Sequence, residues 1–574
     1  MNSAPLPDPE LAKAWRQAQE RWFSHGWREL LSNTQNSALS RAGSGFLAGL
    51  ARHRENWEAL DRDYRTRWAQ LYGDFLEGRP LPDPAADPRF KAEPWRELPY
   101  FRFLAAAYHL TAEWLWALAE CAQPQGQERQ RLFFWLGQWI DAAAPGNFLP
   151  TNPEALGLAF ETQGISLRRG LEQLAEDSAA GRIALSDPAA FRVGENLAVT
   201  PGAVVYQNDL IQLIQYRPAT QWVFKRPLLI VPPFINKYYI LDLQDHDSFV
   251  RYAVEQGHTV FMISWRNISQ GHGHHTWDDY LEHGVMQAIE VALKIAGTRR
   301  LDTLGFCVGG TLLACALAVL AGKRRQSAAS LTLLASLLDF SEPGPIGVYI
   351  DEGFVAACEA EFGKGGIVPG NRLAWAFSSL RASDLLWSPA IRRYLKGQPS
   401  PAFDLLHWNG DAANLSGPMY CYYLRNLYLE NRLREHGTLA MSGVPLDLRQ
   451  VALPTFVLAA REDHIVPWTS AYAGAALLGG DKQFVLSSSG HVAGVVNPPE
   501  NSKRVYWTGQ SFCLSPQAWW EQARQQQGSW WPHWSGWLKR QQGGKRIPAR
   551  CMLGSRQYPE REMAPGSYVL QRAE

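Results

Sequence analysis

The sequence predicts an α/β fold: a mostly parallel sheet with helices on both faces, an inserted cap subdomain, and a mainly helical N-terminal domain. Three observations predict it. Short apolar runs alternate with helix-like segments from residue 227 onward, a long stretch rich in Trp, Tyr and Gly interrupts them at 341–453, and residues 1–192 carry helical periodicity. Alternating strands and helices favour a parallel sheet because each crossover helix packs back onto it.

The N-terminal domain, 1–192, is predicted to consist of several helices. Apolar residues follow a helical period between 9 and 75, and "FRFLAAAYHLTAEWLWALAECA" at 101–122 is typical of a long helix. A proline-rich connector at 79–90 separates these two segments. A further helix is expected at 152–177, with Asn152 as its N-cap and proline at its first position.

The second domain, 193–574, is predicted to hold the sheet and the catalytic machinery. Alternating apolar residues at 193–218 indicate its first strands. Six apolar runs at α/β spacing follow, at 227–234, 258–266, 300–307, 330–340, 454–463 and 482–491. The gap between the fourth and fifth runs is too long for one crossover, so we expect an inserted cap subdomain at about 341–453, placed as a lid over the active site.

The amino-acid composition limits the classes of function that the chain can have. The 574 residues carry a net charge of +1, with 46% hydrophobic and 19% charged residues, which suits a folded core and offers nothing that nucleic acid would bind. Seven scattered cysteines without a CxxC pair indicate free thiols in a reducing compartment. The 24 tryptophans favour interfaces, a groove, or contact with an apolar phase.

The chain is expected to be cytoplasmic. Its N-terminus shows neither the basic region nor the apolar region of a signal peptide. The longest apolar helical stretch, about 311–322, is too short to cross a bilayer. Attachment to an apolar phase would therefore be peripheral, without a transmembrane segment.

A candidate nucleophile lies at the end of the third of these runs. Residues 305–309, "GFCVG", have the spacing G-x-S-x-G of a nucleophile elbow, with Cys307 in place of serine, between a strand and an apolar helix. That context is typical of the α/β-hydrolase fold, and a helix N-terminus favours a thiolate. The alternative is that Cys307 is only a small residue in tight strand–helix packing.

The partners of a catalytic triad follow in the order that this fold requires. Asp463 ends the fifth run as the orienting acid, and His491 ends the sixth as the general base. Glu462 is an alternative acid, but Asp463 lies further into the loop. His464 is an alternative base, although its position beside Asp463 makes contact with the nucleophile awkward.

Two backbone N–H groups are expected to form an oxyanion hole. One belongs to Val308, directly after the nucleophile, and the other to Ile235 or a neighbour, because the two prolines before it carry no N–H. The histidines of "GHGHH" at 271–275 allow a metal interpretation, but the glycines favour a flexible loop, so no metal site is predicted.

The sequence resembles the long, class I type of poly(3-hydroxyalkanoate) synthase. "GFCVGGT", "PPFINKYYILDLQ", "GHTVFMISWRN", "TWDDY", "FDLLHWNGD", "REDHIVPW", "SGHVAGVVNPP" and "GSWWPHW" carry the resemblance, which extends from 87 to 569. The nucleophile, aspartate and histidine of that family fall on Cys307, Asp463 and His491.

The resemblance implies a polymerising acyltransferase. Its substrate would be an (R)-3-hydroxyacyl-CoA, short-chain 3-hydroxybutyryl-CoA in particular, and its product a polyester that grows on the cysteine while CoA leaves. It implies no metal or prosthetic group, since CoA is a leaving group and not a cofactor. It also implies a homodimer at the surface of polyester granules, with granule-coat proteins as further partners of the N-terminal domain.

Two other functions stay open at this point. A cysteine-dependent hydrolase of the same fold, such as a thioesterase or lactone hydrolase, would share the elbow and triad, but would need neither the N-terminal domain nor a large cap. A granule-coat or scaffold protein without catalysis would use the tryptophans alone, and an intact triad argues against this as the sole role.

Overall fold

The computed structural model describes residues 38–500, 503–509, 511–512 and 515–573. These fall into two compact units: the residues up to Asp187 together with Trp375–Pro401, and Pro188–Ala374 together with Ala402–Glu574. Trp375–Pro401 lies within the range expected for the cap, yet it belongs to the first unit. Residues 9–37 of the expected first helical region lie outside the described residues.

The first unit is helical from its first described residue. Its helices to residue 180 are α1 Ala38–Arg52, α2 Arg54–Leu76, α3 Glu93–Glu97, α4 Pro99–Cys121, α5 Gly126–Ala142, α6 Pro153–Glu161 and α7 Ile165–Ala180. α2 and α4 pack through stacked aromatic rings, with Phe75 and Phe103 at 4.6 Å between centroids. Such pairs add to the burial of apolar area that holds a helical bundle together.

The helix expected at 152–177 starts where predicted but forms two helices. The Asn152 side chain accepts a hydrogen bond from Ala155 N at 2.9 Å, and Pro153 occupies the first turn. The first helix ends at Glu161, and Gly164 adopts φ +82° before the second begins. A left-handed residue cannot continue a helix, so this glycine sets the break.

A buried ion pair joins Trp375–Pro401 to α7. Arg393 donates two hydrogen bonds to the Asp177 carboxylate, at 2.8 and 2.9 Å, and both side chains are 8% exposed. The Tyr394 hydroxyl donates to the same carboxylate at 2.8 Å. Separating the two side chains would leave each charge buried without its partner, which is costly. The pair therefore helps to hold Trp375–Pro401 within the first unit.

The second unit is built on a sheet of eleven strands. In chain order they are β1 Gly202–Gln207, β2 Ile211–Tyr216, β3 Leu228–Val231, β4 Val260–Trp265, β5 Leu301–Phe306, β6 Ala328–Leu334, β7 Thr455–Ala460, β8 Lys482–Ser487, β9 Val505–Thr508, β10 Arg524–Gln527 and β11 Glu562–Met563. Their order across the sheet is β10-β9-β8-β7-β6-β5-β3-β4-β2-β1-β11.

Six neighbouring strands, β8-β7-β6-β5-β3-β4, are parallel, and the outer strands are antiparallel. Alternate residues of β3 point to opposite faces, so Leu229 and Ile230 enter two different hydrophobic cores. Both faces are covered by helices. This confirms the predicted mostly parallel sheet, whose strands are apolar throughout because neither face meets water.

Further helices lie beyond residue 248. They are α8 Phe249–Glu255, α9 Trp277–Asp279, α10 Gln287–Ala296, α11 Val308–Gly322, α12 Glu352–Phe362, α13 Gly370–Ser379, α14 Ser388–Ala390, α15 Asp404–Asn409, α16 Gly417–Tyr422, α17 Trp468–Ala476, α18 Pro516–Gln522 and α19 Trp531–Gln542. Single π-helical segments occur at Tyr280–Met286, Ser383–Trp387, Ile391–Leu395 and Tyr423–Leu429. The π segment at Tyr423–Leu429 directly extends α16.

Many of the tryptophans lie in the core. Trp530, Trp531 and Trp534 are at most 1% exposed and pack against one face of the sheet, whereas Trp139 is 66% exposed. The abundance of tryptophan therefore reflects interior packing as well as surface. Within the described part of the chain, no helix combines the length and the apolar character needed to span a membrane.

Candidate active site

Cys307 occupies a sharp turn between β5 and α11. Its backbone has φ +52° and ψ −130°, a conformation that residues other than glycine rarely adopt. Two hydrogen bonds hold the turn: Cys307 N donates to Leu334 O on β6, and Gly310 N donates to Cys307 O, both at 2.9 Å. Such strain persists only where the surroundings enforce it, and it is typical of functional sites.

Glycines allow that turn to form. A Cβ atom on Gly309 would overlap the carbonyl oxygens of Val231 and Pro232 at the end of β3, and one on Gly310 would overlap the Ser336 side chain. The elbow is therefore pressed against the loop that follows β3. A side chain at either position would push the elbow away from these neighbouring segments, which explains why glycines stand there.

The predicted acid and base lie together. His491 Nδ1 is 2.7 Å from Asp463 Oδ2, and the two side chains are 6% and 0% exposed. Asp463 Oδ1 accepts two further bonds, from Ile465 N and Val466 N, each at 2.8 Å. The carboxylate is thus fixed by three donors and holds the imidazole in one orientation.

The other side of the His491 ring faces Cys307. Burial by itself lowers the pKa of His491, but Asp463 and Cys307, both of which bond and interact electrostatically with the ring, raise that pKa well above its usual value. Phe306 stacks on the imidazole, with centroids 5.4 Å apart. His491 therefore lies between the Asp463 carboxylate, which it contacts directly, and the Cys307 thiol, with which it interacts, in a nearly dry site.

The alternative partners are placed differently. Glu462 is exposed, while its neighbour Asp463 is buried. Glu462 N donates to Ser489 O, which ties the backbone of the loop after β7 to the loop that precedes His491. Of the two carboxylates, only Asp463 contacts the imidazole among the described contacts.

The groups predicted for an oxyanion hole lie on the two segments that meet at the elbow. Val308 is the first residue of α11, where backbone N–H groups point out of the helix end. Ile235 follows β3 in the loop that Gly309 contacts, and its carbonyl accepts a bond from Ala413 N at 3.3 Å. No described contact joins Ile235 to Cys307, so its role stays a prediction.

Two tyrosines beside Cys307 were not predicted. Tyr423 and Tyr428 lie in the segment between β6 and β7, are hydrogen bonded to each other, and have ring centroids 5.1 Å apart. Burial raises the pKa of both hydroxyls, and each also interacts electrostatically with Cys307. Both hydroxyls are therefore neutral donors next to the thiol.

Local helix geometry brings these two tyrosines together. They are five residues apart in the π-helical segment Tyr423–Leu429, whose i to i+5 bonding aligns such positions. Trp277 stacks on Tyr423 at 5.7 Å, and Phe340 meets both tyrosine rings edge-on at 6.1 and 4.9 Å. Trp277, Phe340, Tyr423 and Tyr428 thus form a buried aromatic wall, and its two hydroxyl groups interact electrostatically with Cys307.

The histidine-rich loop contacts a buried serine. His274 and His275 have ring centroids 4.4 Å apart, and the carbonyls of Gly273 and His275 both accept from the Ser416 hydroxyl. These hydrogen bonds connect the backbone of the loop to Ser416. Across the described ranges, the one group whose ligand atoms converge as a metal would require lies elsewhere: His246, Asp247 and Asp404.

Comparison with known proteins gives the family. Residues 86–253 match the model for the N-terminus of poly-beta-hydroxybutyrate polymerase (PhaC), and residues 227–498 match the model for the alpha/beta hydrolase fold. The poly(3-hydroxyalkanoate) polymerase subunit PhaC of Cupriavidus necator is 47% identical over 96% of this chain and 94% of its own length. The chain belongs to the poly(3-hydroxyalkanoate) polymerase family. It is accordingly an acyltransferase enzyme of polyester synthesis.

Other relatives agree with this assignment. The corresponding subunit of Rhizobium meliloti is 40% identical over 98% of this chain and 93% of its own length. Among solved structures, the enzyme is similar to a monoacylglycerol lipase of Paleococcus ferrophilus, with 14% identity, a TM-score of 0.32, and coverage of 49% of this chain and 90% of that one.

Proposed function

We propose that the enzyme converts (R)-3-hydroxyacyl-CoA, with 3-hydroxybutyryl-CoA as the preferred substrate, into poly(3-hydroxyalkanoate) through an acyl group carried on Cys307. The observation that supports it is that His491 is held by Asp463 and interacts with a strained cysteine, in a member of a polyester polymerase family. The proposed cycle needs no metal or prosthetic group, since CoA leaves with its thiol.

The first step loads the acyl group. His491 accepts the proton of Cys307, and the sulfur attacks the thioester carbonyl to form a tetrahedral intermediate. The N–H groups of Val308 and Ile235 would stabilise its oxyanion. The carbon–sulfur bond to CoA then breaks, the thiolate takes the proton from His491, and CoA departs.

The second step extends the chain. The 3-hydroxyl of another acyl group gives its proton to His491 and attacks the carbonyl bound to Cys307. The bond to Cys307 breaks as the new ester forms, and His491 returns its proton to the freed sulfur. The lengthened chain is now a CoA thioester, so Cys307 attacks it as in the first step, CoA departs, and the chain is again carried on the sulfur. Asp463 orients His491 in both steps, and assistance to the hydroxyl by this carboxylate is the alternative that experiment must separate.

Sulfur suits this chemistry better than oxygen. Exchange between two thioesters is close to balanced in energy, so an acyl group on Cys307 stays as reactive as the substrate. Serine would instead form an ordinary ester, which is no better a donor than the polymer itself. A cysteine at the elbow therefore favours repeated transfer over storage of an inert intermediate.

Water must be kept away from the loaded cysteine. The wall formed by Trp277, Phe340, Tyr423 and Tyr428 supports this, because its rings pack together and its two tyrosines interact electrostatically with the thiol. Exclusion of water also strengthens each electrostatic interaction in the site. In the proposed cycle a tyrosine hydroxyl donates to an oxygen of the bound substrate.

The likeness to relatives also supports a cellular setting. We propose a cytoplasmic homodimer attached to the surface of its polyester granules, with coat proteins as further partners. Tryptophan and other large apolar side chains that remain exposed in the first unit, such as Trp139 and Phe160, favour contact with an apolar surface.

The decisive experiment is product analysis with purified enzyme. With 3-hydroxybutyryl-CoA we expect CoA release together with turbidity and a high-mass polyester. Release of CoA with free 3-hydroxybutyrate alone would instead establish a cysteine-dependent hydrolase. Substrates with longer acyl chains, assayed in parallel, test the proposed preference for short monomers.

A further inference from the structure

The loop after β3, which carries the predicted oxyanion donor Ile235, is fixed at its start by the elbow. We call residues 232–239 the oxyanion loop. A Cβ atom on Gly309 would overlap Pro232 O, and Trp265 Nε1 donates to the same oxygen at 3.0 Å. In the part of the chain that the structure describes, no hydrogen bond uses the Ile235 N–H. Backbone N–H groups are rarely left unpaired, so this one is available to a ligand.

A second segment runs along the oxyanion loop. We call it the strap, residues 404–413, which begins with α15. Ala413 N donates to Ile235 O at 3.3 Å, and Ala412 forms an antiparallel β-bridge with Asn236. The backbone that directly follows the Ile235 N–H is therefore paired with the strap, and the direction of that N–H depends on where the strap lies.

A buried ion pair joins the strap to the next residue of the loop. Lys237 Nζ lies 2.8 Å from Asp411 Oδ1, and these side chains are 7% and 19% exposed. The Tyr239 hydroxyl donates to Asp411 Oδ2 at 2.9 Å, and Trp408 Nε1 donates to Lys237 O at 2.7 Å. Separation of such a pair would leave a buried charge without its partner, so it holds the loop against the strap.

The strap is itself anchored beyond its last residue. Asn414 N donates to Asn267 Oδ1 at 2.8 Å, and the Asn414 side chain donates to Ile268 O at 3.2 Å. Asn267 and Ile268 follow β4, so these bonds tie the strap to the end of a central strand. Loss of the contact between Asp411 and Lys237 would therefore release the oxyanion loop while the end of the strap stays in place.

We infer that Asp411 is a positioning residue for acyl transfer: through Lys237 and the strap it fixes the oxyanion loop so that the Ile235 N–H faces the carbonyl oxygen of an acyl group at Cys307. The inference rests on the proposed function, which makes Ile235 an oxyanion donor. Asp411 touches no substrate in this role and acts only through the loop.

This role affects only reactions in which an oxyanion forms. When the Cys307 sulfur bonds to the thioester carbon, an electron pair of the C=O bond moves onto the oxygen, where the N–H groups of Val308 and Ile235 stabilise it. The pair returns as the bond to the CoA sulfur breaks. Methyl iodide reacts with the same sulfur by displacement of iodide at a saturated carbon, and no oxygen gains charge. A misplaced Ile235 should therefore slow acylation and leave methylation unchanged.

Both reactions are measured in the full-length enzyme and in Asp411→Asn. Single-turnover release of CoA from 3-hydroxybutyryl-CoA gives the acylation rate, and mass spectrometry of the Cys307 peptide gives the methylation rate. The variant leaves Lys237 buried near the like charge of Arg572. We expect acylation about 10- to 100-fold slower, with methylation within about two-fold of wild type. A fall of both rates together, or of neither, would overturn the inference.

The route through Lys237 is tested by a double-mutant cycle. If Asp411 acts through Lys237, the double variant Lys237→Met/Asp411→Asn should lose no more acylation than the more impaired single variant. Losses that multiply would mean that Asp411 acts on the reaction by another route, and the inference would be wrong.

Asp302→Asn is the matched control. Asp302 is a fully buried carboxylate 3.3 Å from Arg226 Nε, but it lies near the start of β5, at the opposite end of that strand from Cys307. The ratio of acylation to methylation should equal that of wild type in this variant. An equal fall of the ratio in Asp302→Asn and Asp411→Asn would show a general loss of packing and would overturn the positioning role.

Trp408→Phe provides a second version of the test if Asp411→Asn does not fold. It removes the hydrogen bond to Lys237 O and keeps the ion pair, so the ratio of acylation to methylation should fall about three- to ten-fold. A ratio equal to wild type in every folded strap variant would contradict the inference.

The inference and the proposed function fail in different ways. If wild type released CoA without an acyl group on Cys307, the proposed function would be wrong whatever the strap variants did. If wild type loads Cys307 and the strap variants load it equally fast, the proposed function stands and the positioning role of Asp411 is wrong.

Discussion

The elbow and the aromatic wall contribute to the same site by different means. At the elbow, Cys307 is fixed by one hydrogen bond within its own turn, one to the adjacent strand β6, and neighbouring glycines that let β3 and β6 approach. The wall reaches the same sulfur from residues more than one hundred positions away, through Tyr423 and Tyr428 on a π-helical segment.

The contrast separates two requirements of the chemistry. A nucleophile needs an exact backbone conformation, which short-range sequence can specify. A dry, polar-lined cover needs side chains brought together by tertiary packing, which short-range sequence specifies poorly. Substitutions in the elbow should therefore remove the reaction, whereas substitutions in the wall should alter its rate and its products.

The largest effect is expected at the sulfur itself. Cys307→Ala should reduce CoA release and polymer formation by about four orders of magnitude or more, because no other described thiol lies beside His491. Alkylation should label Cys307 and abolish activity. Cys551→Ala, at an exposed thiol, is the control and should stay fully active. Substantial turnover by Cys307→Ala would disprove the assignment.

The next largest loss of activity is expected at His491 and Asp463, the two predicted partners of Cys307. His491→Gln should slow acylation about 10³- to 10⁴-fold, since the thiol loses its base, and Asp463→Asn should cost about 10²- to 10⁴-fold. Single-turnover release of CoA separates loading from elongation. If Asp463→Asn slows elongation far more than loading, the carboxylate assists the hydroxyl; equal losses indicate orientation alone. Full activity of either variant contradicts the triad.

A substitution at Gly309 tests whether the backbone of the elbow is tightly packed. Gly309→Ala places a methyl group against two carbonyl oxygens, so we expect a loss of about 2–4 kcal/mol of unfolding free energy together with most activity. Gly536→Ala, in α19, meets only the end of Arg540 and should be neutral or gain up to about 1 kcal/mol. Urea denaturation of both variants measures the difference, and equal stabilities would refute tight packing at the elbow.

Smaller effects are expected in the wall. Tyr428→Phe and Tyr423→Phe each remove one hydroxyl near Cys307 and should lower kcat by up to about ten-fold, with more free acid among the products. Tyr422→Phe is the matched control on the same segment, because the Tyr422 hydroxyl is buried with no hydrogen-bond partner in the described structure. An equal loss in all three variants would indicate packing and not chemistry.

The smallest expected effect is on the rate of amide hydrogen exchange in the cap. If the cap opens to admit substrate, parts of 402–453 should exchange amide hydrogens faster than β5 and β7, and several-fold more slowly once an acyl chain is loaded. Protection equal to that of the sheet in both states would instead favour a fixed channel.

Sequence alone predicted the sheet and the residues of the Asp463–His491 contact because their signals are local. Apolar runs mark buried parallel strands, and G-x-C-x-G marks a turn that few other residues allow. The wall gave no such signal: "YYLRNLYLEN" has the composition of an ordinary helix, and only π-helical bonding aligns Tyr423 with Tyr428. The break at Gly164 was missed because an isolated glycine is tolerated within many helices.

The same limit explains why neither the burial of the tryptophans nor the approach of Asp247 to Asp404 was predicted. "SWWPHW" could equally serve a surface or a core, and its burial is decided by the sheet face it meets. Asp247 and Asp404 are more than 150 residues apart, so their contact depends on how the chain returns to the sheet. Pairing across such distances is set by topology, which composition and spacing do not encode.

The buried pair between Asp177 and Arg393 has a consequence for synthesis on the ribosome. When Asp177 is synthesised, its partner is still more than 200 codons from translation, so the helical unit cannot complete its interior as it emerges. Until then the carboxylate must stay hydrated, and the nascent helices remain open to chaperones. For the same reason, a fragment ending near residue 187 would lack the arginine it was shaped around, whereas co-expression with a peptide spanning 375–401 should restore its solubility.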